Sequence, residues 1–306
     1  MPTLTKKDPL TKLVDKITEM SSLPSTAARI MEAVQDPRSG AADLMRVLQA
    51  DPSLTSRVLR TVNSAAYGLS ERVTNLQSAI AYLGFNQIRN LALTAAIAPI
   101  FRDGEVVGPY SRVGLWKHLV GVGIASRMVA RRLELKEAEE AYVAGLLHDI
   151  GIILLDQYAH PQQMEVLNKL NDAHQAKADN NLSVEPGAPN PLWLRTHERE
   201  VLTFDHCDLG AAVAKNWRFP EGVAAVIRFH HEAAAQAGGH KVLVQCVQAA
   251  NIVCTLKGVA SVGRPACDCG AGIFQELGFS KVDLKVIASD LDAAFEQNRA
   301  LFDMIS

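Results

Sequence analysis

His148 and Asp149 stand side by side in Ala141–Leu155, AYVAGLLHDIGIILL, a stretch otherwise apolar from end to end. A helix that is hydrophobic all round belongs inside a packed core. An unpartnered polar group there costs on the order of 2–7 kcal/mol, and a charge costs more. A metal ion gripped by both side chains removes that penalty. Further ligand types recur along the chain: His118 after Trp116-Lys117, His206 in FDHCDLG, the pair His230-His231, and Asn251 in AANIV. One His-Asp dipeptide carries little weight; His118, His148, Asp149, His206, His230 and His231, drawn from separate segments, carry much more. Five neutral imidazoles and one carboxylate make a nitrogen-rich, low-charge cage. That donor set favours iron, zinc or manganese over magnesium or calcium, which prefer oxygen ligands. With two ions bound, Asp149 is the core carboxylate able to bridge them, and a bridging water is then the nucleophile for attack on phosphorus. Asp149 is accordingly the candidate catalytic residue. Lys117 and Arg228 are near the motifs, but neither stands out as a phosphate clamp.

The elements that must position these residues read as helices throughout, and no run alternates with period two. Leu13, Ile17, Leu23, Ile30 and Val34 mark residues 13–34, with Pro24 dividing two short helices. Asp51-Pro52 opens a helix that runs to Asn63-Ser64. Asn75 caps another that ends at Leu83-Gly84, and residues 86–100 form a third. RDGEVVGP, residues 102–109, is the best boundary between a helical subdomain at 13–101 and a second at 110–300. Within the latter, Ala141–Leu155 is the central helix. The polar stretch 172–200 reads as a long surface excursion. Asp208 is placed to cap a helix reaching Trp217, Pro220 opens the next, and helices follow over 242–257 and 280–305. The expected architecture is all-α, two packed bundles.

Bulk properties narrow the function classes. The chain has 306 residues, 48% hydrophobic and 21% charged, which describes an ordinary globular protein. Its formal net charge of −2 gives no electrostatic ground to expect nucleic acid or an anionic membrane as partner. No apolar run reaches a membrane span, and no apolar signal core follows the N-terminal lysines, so a cytoplasmic location is expected. Five cysteines fit a reducing compartment. Cys207, Cys246 and Cys254 read as core filler, and Cys267-Asp268-Cys269 as a free-thiol loop. His160, His174, His197 and His240 read as surface residues. Asp205 and Glu232 read as solvated charges, either of which is also a candidate for a missing acidic ligand.

QADPSLTSRVLRTVNSAAYG (49–68), SAIAYLGFNQIRNLAL (78–93), GLLHDIG (145–151), HCDLGA (206–211) and WRFP (217–220) resemble the HDOD ("HD-related output domain") proteins of bacterial signalling, relatives of the HD metal-dependent phosphohydrolases. The resemblance covers roughly residues 15–295. It implies metal roles for His118, His148 and Asp149, and, where two ions bind, for His206, His230 and His231. It also implies that the family's later aspartate falls on or near Asn251, a departure, since an amide brings no charge. The aspartate-glycine and glycine-tyrosine-proline residues of HD-GYP cyclic di-GMP phosphodiesterases are missing after Glu232. Three functions follow in order of preference. The first is a regulatory protein acting through signalling partners, its transition-metal site of one or two ions structural or sensory. The second is a metal-dependent phosphohydrolase of a nucleotide or phosphoester, and the third a di-iron oxygen-using enzyme. With no receiver, GGDEF-like or DNA-binding segment in cis, the signal is expected to arrive from another molecule.

Overall fold

The computed structural model describes residues 8–20, 25–35, 40–64, 67–69, 71–179, 190–232, 234–266 and 272–305; Pro24, Cys267 and Cys269 lie outside the described residues. The first six helices are α1 (Pro9–Met20), α2 (Ser25–Gln35), α3 (Ala41–Gln49), α4 (Pro52–Val62), α5 (Leu76–Leu83) and α6 (Phe85–Ile97). Local chemistry sets their ends. Asp51 accepts the Leu54 N–H at 2.9 Å with Pro52 in the first turn of α4. Asn75 accepts the Ser78 N–H at 2.8 Å to start α5. Gly84, at φ +83°, ends α5 and begins α6 in the same residue, a backbone that a side chain would strain. The Asn63 amide bonds the Leu59 carbonyl and both backbone groups of Val73, tying α4 to the approach to α5. Asn63 is structural.

Beyond a loop come α7 (Arg112–Arg132), α8 (Ala138–Leu147), α9 (Ile150–Tyr158), α10 (His160–Ala178), α11 (Leu194–Leu202), α12 (His206–Asn216), α13 (Glu221–Phe229) and α14 (Lys241–Leu256). The chain ends in α15 (Gly272–Glu276), α16 (Lys281–Gln297) and α17 (Arg299–Phe302). Among the described residues there is no β-strand, only an isolated bridge between Val107 and Tyr110, and the fold is all-α. Helix α7 is the axis, with α8 and α14 packed along it. Its approach to α8 depends on small residues: a Cβ at Gly145 would sit 2.6 Å from Ser126 Oγ and 2.8 Å from the Val122 carbonyl oxygen. Trp116 is buried, and its Nε1–H donates to the carbonyls of Leu301 and Phe302, docking the C-terminal helices on α7.

Three expectations change. The run Ala141–Leu155 is two helices, not one, and the break between α8 and α9 falls on His148-Asp149. On an unbroken helix adjacent side chains diverge by about 100°; the break lets both face one point. The stretch 172–200 is helical at both ends, in α10 to Ala178 and in α11 from Leu194. The cap of α12 is Asp205 rather than Asp208: Asp205 accepts the Asp208 N–H at 3.0 Å, and Asp208 returns the bond to the Asp205 N–H at 3.2 Å.

The loop before α7 is held by a buried carboxylate. Asp156 accepts from Tyr110 Oη at 2.7 Å, from Arg112 Nε at 2.8 Å and from His160 Nδ1 at 2.8 Å. His160 Nε2 lies 3.2 Å from Glu105. His160 is therefore an ion-pair partner and not a bystander on the surface. Its pKa is raised, chiefly by Asp156, against a smaller opposing effect of burial. A raised folded-state pKa contributes stability that is complete below the unfolded value near 6.5 and is lost as pH rises through the folded value. The His160 ring should titrate above 6.5 by NMR, and Asp156→Asn should bring the midpoint down; a wild-type midpoint at or below 6.5 would contradict the pairing.

Candidate metal centre

The six sequence-selected residues meet at one place. His118 is mid-α7, His148 closes α8, Asp149 precedes α9, His206 opens α12, and His230-His231 follow α13. His118, His148, Asp149, His206 and His230 are all at most 3% exposed. Each of four imidazoles has its Nδ1 committed outward. His118 Nδ1 donates to the Val259 carbonyl at 2.8 Å and His148 Nδ1 to the Gly145 carbonyl at 2.7 Å. His230 Nδ1 donates to the carbonyls of Val226 and Ile227, both at 3.1 Å. His206 Nδ1 is 2.7 Å from Glu198 Oε2. A carbonyl only accepts, so the Nδ1 atoms of His118, His148 and His230 carry a proton, and the Nε2 atoms of all four rings are left to face the cluster, that of His230 hydrogen-bonded to Asp149 Oδ1 at 3.0 Å.

Those Nε2 atoms converge on Asp149. Oδ2 is 3.3 Å from His148 Nε2 and 3.6 Å from His118 Nε2; Oδ1 is 3.0 Å from His230 Nε2 and 3.3 Å from His206 Nε2. The His118 and His148 Nε2 atoms are themselves 3.3 Å apart. Lone pairs aimed at each other and at a carboxylate repel unless positive charge lies among them. His206 Nε2 makes the point most directly: it is buried without a hydrogen-bond partner, with Asp149 Oδ1 3.3 Å away. Imidazoles turned by carbonyl and carboxylate acceptors on their far nitrogen are the arrangement metal-binding histidines adopt. The donor set fits a transition ion.

Protonation behaviour shows the same demand for positive charge. Burial opposes charge on Asp149, yet His148, His118 and His206 hold its carboxyl well below the usual range. Burial also opposes charge on His206 and His230, but Cys207, with Glu198 and Asp149 at His206 and Asp149 at His230, lifts His206 well above its ordinary value and His230 to about 10. Burial pushes His148 down to about 4. Positive charge is thus favoured on His206 and His230, while burial and those two neighbours push His231 the other way.

Several residues take other roles. Both histidines of the His230-His231 pair face inward, the His231 ring 4.1 Å from that of His230 and 5.2 Å from that of His206. Asn251 is buried, its amide oxygen 3.3 Å from the Thr255 hydroxyl, and it lines a water-sized cavity with His231, Ser261 and Arg264. Asp205 is buried rather than solvated and is neutralised by Arg195 at 2.6 Å and Arg199 at 2.7 Å. Glu232 pairs with Arg195 and Arg228. Neither replaces an acidic ligand. Lys117 points to solvent, and Arg228 is bound to Glu232, so neither clamps a phosphate here. His197 is buried in α11, its Nε2 donating to the Pro191 carbonyl at 2.8 Å.

Glu198 is the residue that reading along the chain misses. It lies inside the stretch taken for a surface excursion, yet it is fully buried. Its Oε2 receives both the Nδ1–H and the backbone N–H of His206. The signal is present locally: Glu198 shares a helical face with Leu194 and Leu202, the i, i+4, i+8 stripe of α11. Glu198→Gln keeps an oxygen for His206 but removes the charge behind it. Metal affinity should fall about 10–100-fold, read by titration against a chelator, with an unchanged affinity ruling out this support role.

A model of the HDOD domain matches residues 20–185 and 188–233, which include the dyad and every candidate histidine. The chain belongs to the HDOD family. Among solved structures, an HDOD domain protein of unknown function from Geobacter sulfurreducens is 25% identical, with a TM-score of 0.72 over 97% of this chain and 98% of its own. A candidate phosphohydrolase from Shewanella amazonensis SB2B is also 25% identical, with a TM-score of 0.70 over the same shares. A candidate signal transduction protein from Marinobacter aquaeolei VT8 shares the fold, at 23% identity and a TM-score of 0.67, over 98% of this chain and 61% of its own. An uncharacterized protein of Treponema pallidum (strain Nichols) is 27% identical over 241 residues, 78% of this chain. This HDOD chain spans 43% of the length of that curated relative.

Proposed function

We propose that this HDOD protein is a regulator of bacterial signal transduction that acts through protein partners and carries a structural or sensory metal. The observation behind this reading is enclosure. Among the described residues the Asp149 cluster is buried, and a cavity at its edge, at His231, is about 10 Å³. That is space for one water, not for a phosphoester beside the cluster. His118, His148, His206, His230 and His231 would supply nitrogen and Asp149 oxygen, its two oxygens facing different histidine pairs as a bridge between two ions requires. Iron, zinc or manganese fits these donors. Such an ion would fasten α7, α8, α12 and α13 together, so that metal occupancy sets the shape the partner meets. No helix among the described residues is long and apolar enough to cross a membrane.

A phosphohydrolase is the second reading, favoured by the lining of the small cavity. Arg264 Nε is buried there without a partner, beside Asn251, Thr255 and Ser261. A bound metal would supply Lewis acidity and an activated water, and these side chains would meet an anionic group only with the cavity opened beyond its single-water size. Two measurements separate the readings: metal content at first purification, and turnover of a generic phosphodiester with added manganese. Metal bound with no turnover across metals supports the regulator. Turnover that disappears in Asp149→Ala establishes the enzyme, and protein free of metal under all conditions defeats both.

A further inference from the structure

We propose that Cys207 is a metal ligand, forming with His206, His230 and His231 a sulfur-and-nitrogen half-site beside the His118–His148–Asp149 half. The inference rests on the reading that the cluster binds metal, and it changes the character of one side of it. Cys207 is not core filler. One donor atom from each of these four side chains lies within 4.8 Å of all the others. The Sγ atom is 3.9 Å from both ring nitrogens of His230. With metal–sulfur near 2.3 Å and metal–nitrogen near 2.0–2.1 Å, tetrahedral donors stand about 3.3–3.6 Å apart. The most widely spaced of the four groups therefore need to draw in by up to about 1.5 Å.

A second observation concerns His206, a member of the same group of four. The His206 Nε2 atom, on a ring nearly without exposure, has no hydrogen-bond partner. The backbone beneath is rigidly set. Cys207 is the second residue of α12, whose first turn is capped by Asp205, itself clamped by Arg195 and Arg199. The first turn of a helix favours a thiolate over a thiol. The other described cysteines differ: Cys246 and Cys254 are buried in α14 and, among the described residues, join no such cluster. Sulfur also alters the preference between metals. The Cys207 side is suited to zinc, iron or cobalt, and manganese is disfavoured there relative to a site of nitrogen and oxygen alone.

Cobalt(II) loaded into the metal-free full-length protein reports the ligand directly. A sulfur-to-cobalt charge-transfer band in the near ultraviolet is expected. The band should vanish in Cys207→Ser, with cobalt binding weakened at least about tenfold. It should persist in Cys246→Ala, in Cys254→Ala and in the double variant Cys267→Ser/Cys269→Ser. Cobalt bound without that band, or a band that survives Cys207→Ser, overturns the sulfur ligand and leaves the metal site standing. No uptake of cobalt overturns both. Cadmium-113 NMR of the wild-type protein needs no variant: a resonance far downfield, in the thiolate range, supports the assignment, and a resonance in the range of nitrogen and oxygen ligands rejects it.

Discussion

Asp149→Asn is expected to empty the site of metal and to lower the unfolding free energy by about 3–5 kcal/mol, the usual loss when one partner of a buried charge cluster is removed. The substitution keeps the shape of the side chain, so packing is not the cause. It removes the one carboxylate that all four Nε2 atoms approach, at 3.0 to 3.6 Å. An amide also turns one donor N–H toward nitrogens that need a cation. Metal analysis and denaturant unfolding of wild type and variant, each with and without chelator, give the two readouts. Chelation should destabilise the wild type, because an ion that binds only the folded state adds stability with its concentration, about 4 kcal/mol at a thousand times Kd. It should leave Asp149→Asn unmoved. Retention of metal by the variant at wild-type stoichiometry would show that Asp149 is not the centre of the site.

Gly151→Ala should be a severely damaging small change in the HDOD chain, although the residue is not itself a ligand. A Cβ at this position would overlap the carbonyl oxygen of His206, with the His206 carbonyl carbon at 2.7 Å and its Cα at 3.0 Å. All three are main-chain or Cα atoms, which no rotamer change can move. Helices α9 and α12 would have to part by about an ångström, and the loss should reach or exceed the top of the 1–3 kcal/mol range typical of overpacking. The same movement carries His206 away from Asp149, so metal affinity should fall with stability. Gly239→Ala, which meets nothing within 4 Å, is the matched control and should be close to neutral. Thermal unfolding and metal titration of the two variants decide the matter; wild-type stability and affinity in Gly151→Ala would mean that the two helices are not held in this contact.

How far the site could be read along the chain depended on the range of the forces involved. The helical class, the caps at Asp51 and Asn75 and the stop at Gly84 follow from propensities and hydrogen bonds that span a few residues, and the structure has them where the sequence placed them. The dyad declared itself because an imidazole and a carboxylate in an apolar run have no local remedy. The HDOD motifs extended this to the distant histidines, which the fold gathers around Asp149.

Other features had no local signature. The break between α8 and α9 at His148-Asp149 occurs in a sequence with nothing against a continuous helix, and it is the convergence on α7, α12 and α13 that requires it. Asp205 looked like a solvated charge because the two arginines that neutralise it lie in α11, across a turn. Glu198 and Cys207 looked ordinary because what distinguishes each is the imidazole it touches, not its neighbours in the chain. Residue type and spacing determined that this protein is helical and that six of its side chains were candidate ligands. Only the packing decided which nitrogen of each ring faces inward, how tightly the cluster is closed, and that a glutamate and a thiol stand against it, because those are properties of surfaces brought together from far apart in the chain.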